Sequence, residues 1–203
     1  MFKRIVTAIL HPSKAICSLA WRMRRLFVSQ VQIDGKLFHK YQGELYPDYL
    51  HHGNAASFIS ETALTWCIGQ GLDIGSGKWP IQGATPIEND AELNAHKLDK
   101  FHDGSLDFVF SSHCLEHLQD WQNALKLWIR KIRPNGILFL YLPHESMKLW
   151  NPCGPWVATG HKWKPTLELL LPFLEVNGIE IIEYNPTRDS YWSFHVIGRK
   201  RAA

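Results

Sequence analysis

The run Gly71-Leu-Asp-Ile-Gly-Ser-Gly77, followed about thirty residues later by Ser105-Leu-Asp-Phe-Val-Phe-Ser-Ser-His-Cys-Leu-Glu-His117, constrains this chain more than any other feature. In the first run a short apolar strand delivers an acid, Asp73, and two glycines to a tight turn, where bare backbone leaves room for a ligand that side chains would exclude. In the second, Phe108, Val109 and Phe110 form a continuous apolar stretch of the kind buried on both faces of a parallel sheet. It opens into polar residues at its carboxyl end, which is where open α/β sheets bind ligands.

From Ile68 onward the pattern is α/β. Strands are predicted at about 70–74, 84–88, 96–99, 106–112, 137–142, 179–184 and 191–199, with a helix at about 118–133. That helix carries Leu118, Trp121, Leu125, Trp128, Ile129 and Ile132 on one side and stops at Pro134-Asn-Gly136. Only Lys78 to Gly83 separate Gly77 from the second strand, too few for the usual crossover helix. Either the first helix has shrunk to a turn or the second strand is misplaced.

Residues 69–144 resemble class I S-adenosylmethionine-dependent methyltransferases. The resemblance is carried by Leu72-Asp-Ile-Gly-Ser-Gly77, Ser105-Leu-Asp-Phe-Val109, Ser111-Ser-His-Cys-Leu-Glu-His117 and Arg130-Lys-Ile-Arg-Pro-Asn-Gly136 before a strand ending at Pro143. It implies a Rossmann-like methyltransferase fold with a mostly parallel seven-stranded sheet and S-adenosylmethionine as cofactor. By position, Asp73, Gly75 and Gly77 would frame the methionine and ribose, Glu88 would take the ribose hydroxyls, and Asp99 the adenine amino group. Ser111 to His113 would lie beneath the sulfonium. Two departures stand out: Lys78-Trp79-Pro80 replaces the third glycine of the turn, and Asn135 stands where glycine is common.

His113-Cys-Leu-Glu-His117 also matches HxxEH, a zinc-protease pattern that requires the five residues to lie in a helix with a third ligand downstream. His113 directly follows a strand, so the reading assigns no metal and gives Glu116 and His117 a bracing role in the turn. The segment from His144 to Lys164 follows the fifth strand and gathers His144, Trp150, Trp156, His161 and Trp163. It is read as the acceptor loop, with His144 or His161 as general base if the acceptor must lose a proton. The alternative is a lid whose aromatics only pack on the sheet. His51-His52 read as surface ahead of pocket closure.

Lys3, Arg4, Lys14, Arg22, Arg24 and Arg25 precede the first acid, Asp34, which leaves 16 basic and 19 acidic residues, net −3, in the remainder. Ile16, Leu19, Ala20, Met23 and Phe27 add an apolar stripe, so residues 1–30 read as a basic amphipathic N-terminal helix. Packing on the domain is the first reading of that helix, and peripheral contact of residues 1–27 with an anionic membrane the second. Residues 31–66 read as a hairpin or loop lid followed by a helix near 55–66, and 67–203 as the methyltransferase domain. Four scattered cysteines and the lack of a membrane span or secretion signal suggest a cytoplasmic protein, with an organelle presequence the open alternative for the acid-free, Arg-rich start. A small polar acceptor, such as a sugar or glycolipid precursor, suits the aromatic, histidine-bearing segment, and the domain's negative charge argues against nucleic acid. A zinc hydrolase, a nicotinamide oxidoreductase and a non-catalytic binding module are the rival classes.

Overall fold

The computed structural model describes residues 23, 26–49, 53–147 and 161–202, which fall into two compact units. Most of the N-terminal helix, His51-His52 and the loop with Trp150 and Trp156 lie outside the described residues. No described helix is long and apolar enough to cross a membrane.

In the first unit three antiparallel strands follow one another: β1 (Ser29–Ile33), β2 (Lys36–Tyr41) and β3 (Glu44–Pro47). Two-residue turns join them, Asp34-Gly35 and Gln42-Gly43. Both central residues of each turn have positive φ, the twist that lets neighbouring strands continue their own right-handed twist. Phe38, Tyr41, Tyr46 and Tyr49 are buried, and His39 pairs with Asp48 at 2.6 Å. The expected hairpin is therefore one strand longer.

The second unit holds a six-stranded sheet. Its strands are β4 (Gly71–Ile74), β5 (Ala84–Ile87), β6 (Leu106–Ser112), β7 (Ile132–Pro143), β8 (Ile179–Tyr184) and β9 (Ser193–Lys200), in the order β5-β4-β6-β7-β9-β8. The first four are mutually parallel, and β9 runs against both of its neighbours. Helices α1 (Ser60–Trp66), α2 (Trp121–Lys131) and α3 (Leu167–Val176) complete the unit. Leu125, Trp128 and Ile129 of α2 join Leu72, Ile74, Val109, Leu138 and Leu140 of the sheet in one buried core, and Leu170 and Leu174 of α3 belong to it too.

One expectation changes and one open choice is decided. The sheet has six strands, not seven, because residues 96–99 form only an isolated bridge between Asn94 and Lys97. The Asn94 side chain accepts from His96 N–H at 2.9 Å and donates to Asp90 C=O at 2.8 Å, giving the backbone local partners that compete with a ladder. The shortened first crossover is also resolved: β4 and β5 pair in parallel, joined by residues 75–83 with no helix between them. The second strand is correctly placed. Asn135 has φ 62, the left-handed geometry its side chain tolerates.

Candidate functional site

The chain leaves β4 toward β5 on one side and returns past it to β6 on the other. The strand order thus reverses between β4 and β6, and a crevice forms beyond their carboxyl ends. Asp73, Gly75, Gly77, Glu88, Ser111, His113 and His144 all stand along that edge.

Asp73 is fully buried. One carboxylate oxygen, Oδ2, accepts from Ile81 N–H at 2.9 Å, while Oδ1 has no hydrogen-bond partner among the described residues. Burial raises its pKa to about 7, opposed by the Ile81 hydrogen bond and assisted by the nearby Glu88 charge. Glu88 follows β5, and its Oε1 accepts from Ser76 Oγ at 2.7 Å and Gly77 N–H at 2.6 Å. The acid and the glycine turn are thereby locked to each other, a pairing with Ser76 that sequence reasoning did not anticipate.

Gly75 has φ +79, and its N–H donates to Ile87 C=O at 2.8 Å. A Cβ there would meet Cys114 Cβ at 2.4 Å, so the neighbour that demands glycine is the Cys114 side chain from the turn after β6, not a ligand alone. Ser111 is buried and donates to Ile74 C=O at 2.9 Å, tying β6 to the end of β4. His113 sits at φ 49 in the strand-to-turn corner. Its N–H donates to Tyr141 C=O at 2.9 Å, and its Nε2 lies 2.9 Å from Ser193 Oγ. Burial first, then the neighbouring His161 and His117, push its pKa down to about 3.

Past His113, residues Leu115–His117 form a single 3-10 turn, and Glu116 is fully buried, which raises its carboxyl pKa to about 8. His161 comes back to this turn because Lys162 N–H donates to Glu116 C=O at 2.8 Å. Trp163 follows, stacking on Trp121 with centroids 4.2 Å apart and donating Nε1–H to Leu115 C=O. That part of the acceptor segment packs as a lid would. His144 accepts from Ser146 N–H at Nδ1, 3.0 Å away, which assigns the ring hydrogen of the neutral form to Nε2. Burial, above all, lowers its pKa. Beside it a cavity of about 230 Å³ is lined by His144, Glu145, Thr166, Glu168 and Phe194, among others. Asp99 is exposed and does not line the broad depression formed by Glu88, Asp90, Glu92 and Lys100.

The buried side-chain oxygens without a hydrogen bond among the described residues are Asp73 Oδ1, Ser112 Oγ and both oxygens of Glu116. All lie at the carboxyl end of the sheet, where a polar ligand would satisfy them. Asp73 Oδ1 and the Glu88 carboxylate beside the glycine turn fit a cofactor that carries an ammonium group and a ribose.

Residues 81–140 match the family model described as "Methyltransferase domain". No curated protein sequence matches the chain. Solved structures do. A Thermotoga maritima S-adenosylmethionine-dependent methyltransferase is similar at 13% identity and TM-score 0.53, over 75% of this chain and 97% of that one. A Methanosarcina mazei methyltransferase shares 19% identity at TM-score 0.54, covering 69% and 97%. The [4+2]-cyclase SpnF shares 14% at TM-score 0.55, covering 73% and 82%, so the fold extends beyond enzymes named for methyl transfer. The structures show the fold. The family match, which spans Glu88 and the β6 turn, identifies a methyltransferase domain over residues 81–140 and agrees with the resemblance to S-adenosylmethionine-dependent methyltransferases. Its cofactor is S-adenosylmethionine, and its reaction is methyl transfer.

The Asp73 carboxyl makes stability depend on pH in the cofactor-free protein. The folded chain holds this proton up to about 7, whereas 3.8 is the ordinary value. Stability from this group is therefore greatest below the lower value and falls as pH rises through the window between them. Urea unfolding should show wild type losing stability relative to Asp73→Asn between pH 4 and pH 7.5. Parallel pH dependences would contradict the assignment.

Proposed function

We infer that the chain methylates an oxygen or nitrogen atom of a small polar acceptor, of the sugar or glycolipid-precursor class. The observation that carries the cofactor half of this reading is the lock between Glu88, Ser76 and the Gly77 N–H beside the unpaired Asp73 oxygen. Glu88 would offer its remaining acceptor capacity to the ribose hydroxyls, and Asp73 Oδ1 would accept from the ammonium end. Gly75 and Gly77 keep the turn narrow, and Ser111 and His113 shape the floor. Asp90 and Glu92 flank Glu88 in the same depression and are better placed than Asp99 for the adenine end.

S-adenosylmethionine supplies an activated methyl group on a sulfonium centre. The protein then has to hold the acceptor in line and exclude water. The cavity beside His144 mixes polar lining groups such as Glu145 and Glu168 with apolar ones such as Phe194, whose ring meets His144 edge-on with centroids 6.0 Å apart. That combination suits a sugar ring. His144, with its hydrogen on Nε2, would donate to the acceptor rather than take its proton. His161 is the alternative base: burial, with the His117 charge, lowers its pKa to about 4 and keeps the ring neutral. The basic segment before Asp34 would hold the enzyme near anionic glycolipid substrates.

Transfer of labelled methyl from S-adenosylmethionine to soluble sugars and lipid-linked sugars, with a protein and an RNA as comparison acceptors, tests this. Label is expected in the sugar-bearing fraction, and His144→Ala should reduce it at least tenfold. Label confined to protein or RNA would overturn the acceptor assignment.

A further inference from the structure

Methyl transfer with His144 at the acceptor makes no use of Glu116, His117 or His161, and His161 as a metal ligand would not be free to act as the base. Yet Glu116 is fully buried, and among the described residues neither of its side-chain oxygens has a hydrogen-bond partner. Three imidazole nitrogens converge on one of those oxygens, Oε1: His113 Nδ1 at 3.8 Å, His117 Nε2 at 3.7 Å and His161 Nε2 at 3.9 Å. Charge-assisted hydrogen bonds would bring such nitrogens to about 2.7–2.9 Å, so these contacts are nearly an ångström too long. They come closer to the spacing of atoms that share a metal ion. With bonds of about 2.0–2.2 Å, neighbouring ligands of a tetrahedral ion stand roughly 3.3–3.5 Å apart. The ligand atoms of Glu116, His117 and His161 all lie within 4.8 Å of one another.

We propose that Glu116, His117 and His161 form a binding site for a divalent transition-metal ion of the zinc type, with His113 bordering it. Two imidazoles and one carboxylate are a known zinc donor set that leaves a position for water or another oxygen ligand. Magnesium and calcium prefer all-oxygen surroundings and are poorly matched. A cation would also offset the cost of a buried carboxylate that has no hydrogen bond. His113 is held by its Nε2 contact with Ser193 Oγ, the kind of outer hydrogen bond that orients a ring at a metal site. His117 is 37% exposed and gives the ion a route in from solvent.

The HxxEH pattern reaches this arrangement without an α-helix. A 3-10 turn presents Glu116 and His117, and the backbone bond from Lys162 to Glu116 delivers His161 as the downstream ligand. The inference does not rest on the methyltransferase reading, because zinc binding is read without S-adenosylmethionine.

The test uses untagged full-length protein, stripped with EDTA and titrated with zinc against a chromogenic chelator. One equivalent should bind, with affinity reduced at least 100-fold in His117→Ala and His161→Ala and unchanged in His96→Ala, an exposed histidine outside the cluster. Cobalt(II) should give the visible absorption of a low-coordinate site in wild type and lose it in the two variants. Glu116→Gln, nearly isosteric, should give the same loss where an alanine variant does not fold. Wild-type zinc affinity in these variants, or less than one equivalent on the wild type, would overturn the site. S-adenosylmethionine titrations of the same preparations keep the two readings apart: zinc lost with cofactor binding retained overturns only the metal site.

Discussion

Gly75→Ala should destabilise the domain by about 2–5 kcal/mol. Two costs add. A non-glycine residue at φ +79 pays roughly 1–2 kcal/mol for left-handed geometry, and overpacking against a rigid neighbour adds about 1–3 kcal/mol. The neighbour is Cys114 Cβ, 2.4 Å from where the new methyl would stand, an atom that cannot swing aside as the end of a long side chain would. For a domain with a typical margin of about 5–15 kcal/mol, that loss is visible in any urea titration. Cys114→Gly in the same background should recover the steric part and leave the conformational part. A variant as stable as wild type would show that the β4 turn and the β6 turn are not pressed together.

Glu88→Ala should weaken S-adenosylmethionine binding roughly 10- to 150-fold, the equivalent of about 1.5–3 kcal/mol for hydrogen bonds to a charged group. The carboxylate serves twice in this structure. It receives Ser76 Oγ and the Gly77 N–H, so its removal loosens the glycine turn as well as the proposed ribose contact. Ser76→Ala should reproduce only the loosening, with a smaller loss. Wild-type affinity in Glu88→Ala together with a loss in Asp90→Ala would move the ribose acid two residues along the chain.

Much of the architecture is legible in the sequence because it is written in local periodicity. Strands β4, β5, β6 and β8 fall within a residue of expectation, since each is a short apolar run bounded by glycine, asparagine or proline. Helix α2 is equally plain, its buried Leu125, Trp128 and Ile129 spaced three and four apart. Helix α3 is not among the elements expected from the sequence. Its signals were present, with Thr166 as N-cap accepting from Leu169 N–H and Asn177-Gly178 as the stop, but Pro172 in its interior obscured them. The seventh strand failed for the opposite reason. Residues 96–99 look extended, yet Asn94 binds their backbone locally, a choice no periodicity records.

The site divides along the same line. Asp73, Gly75 and Gly77 stand in one contiguous motif and can be read directly, whereas the partners that define their geometry come from elsewhere. Cys114 is thirty-nine residues from Gly75 in the chain, and Ser193 is eighty from His113. The joining of His161 to Glu116 depends on one backbone hydrogen bond from Lys162. Contacts of this kind are set by sheet order and turn geometry, so a metal-binding reading that the sequence argued against becomes arguable only once the turn after β6 is seen.

The most direct measurement is calorimetric titration of the purified full chain with S-adenosylmethionine, with S-adenosylhomocysteine and NAD titrated in parallel. One equivalent of S-adenosylmethionine and one of S-adenosylhomocysteine should bind, NAD should give no saturable heat, and Glu88→Ala should weaken both of the first two. Saturable binding of NAD with no response to either sulfur compound would contradict the assignment of the Asp73–Glu88 corner as a methyltransferase cofactor site.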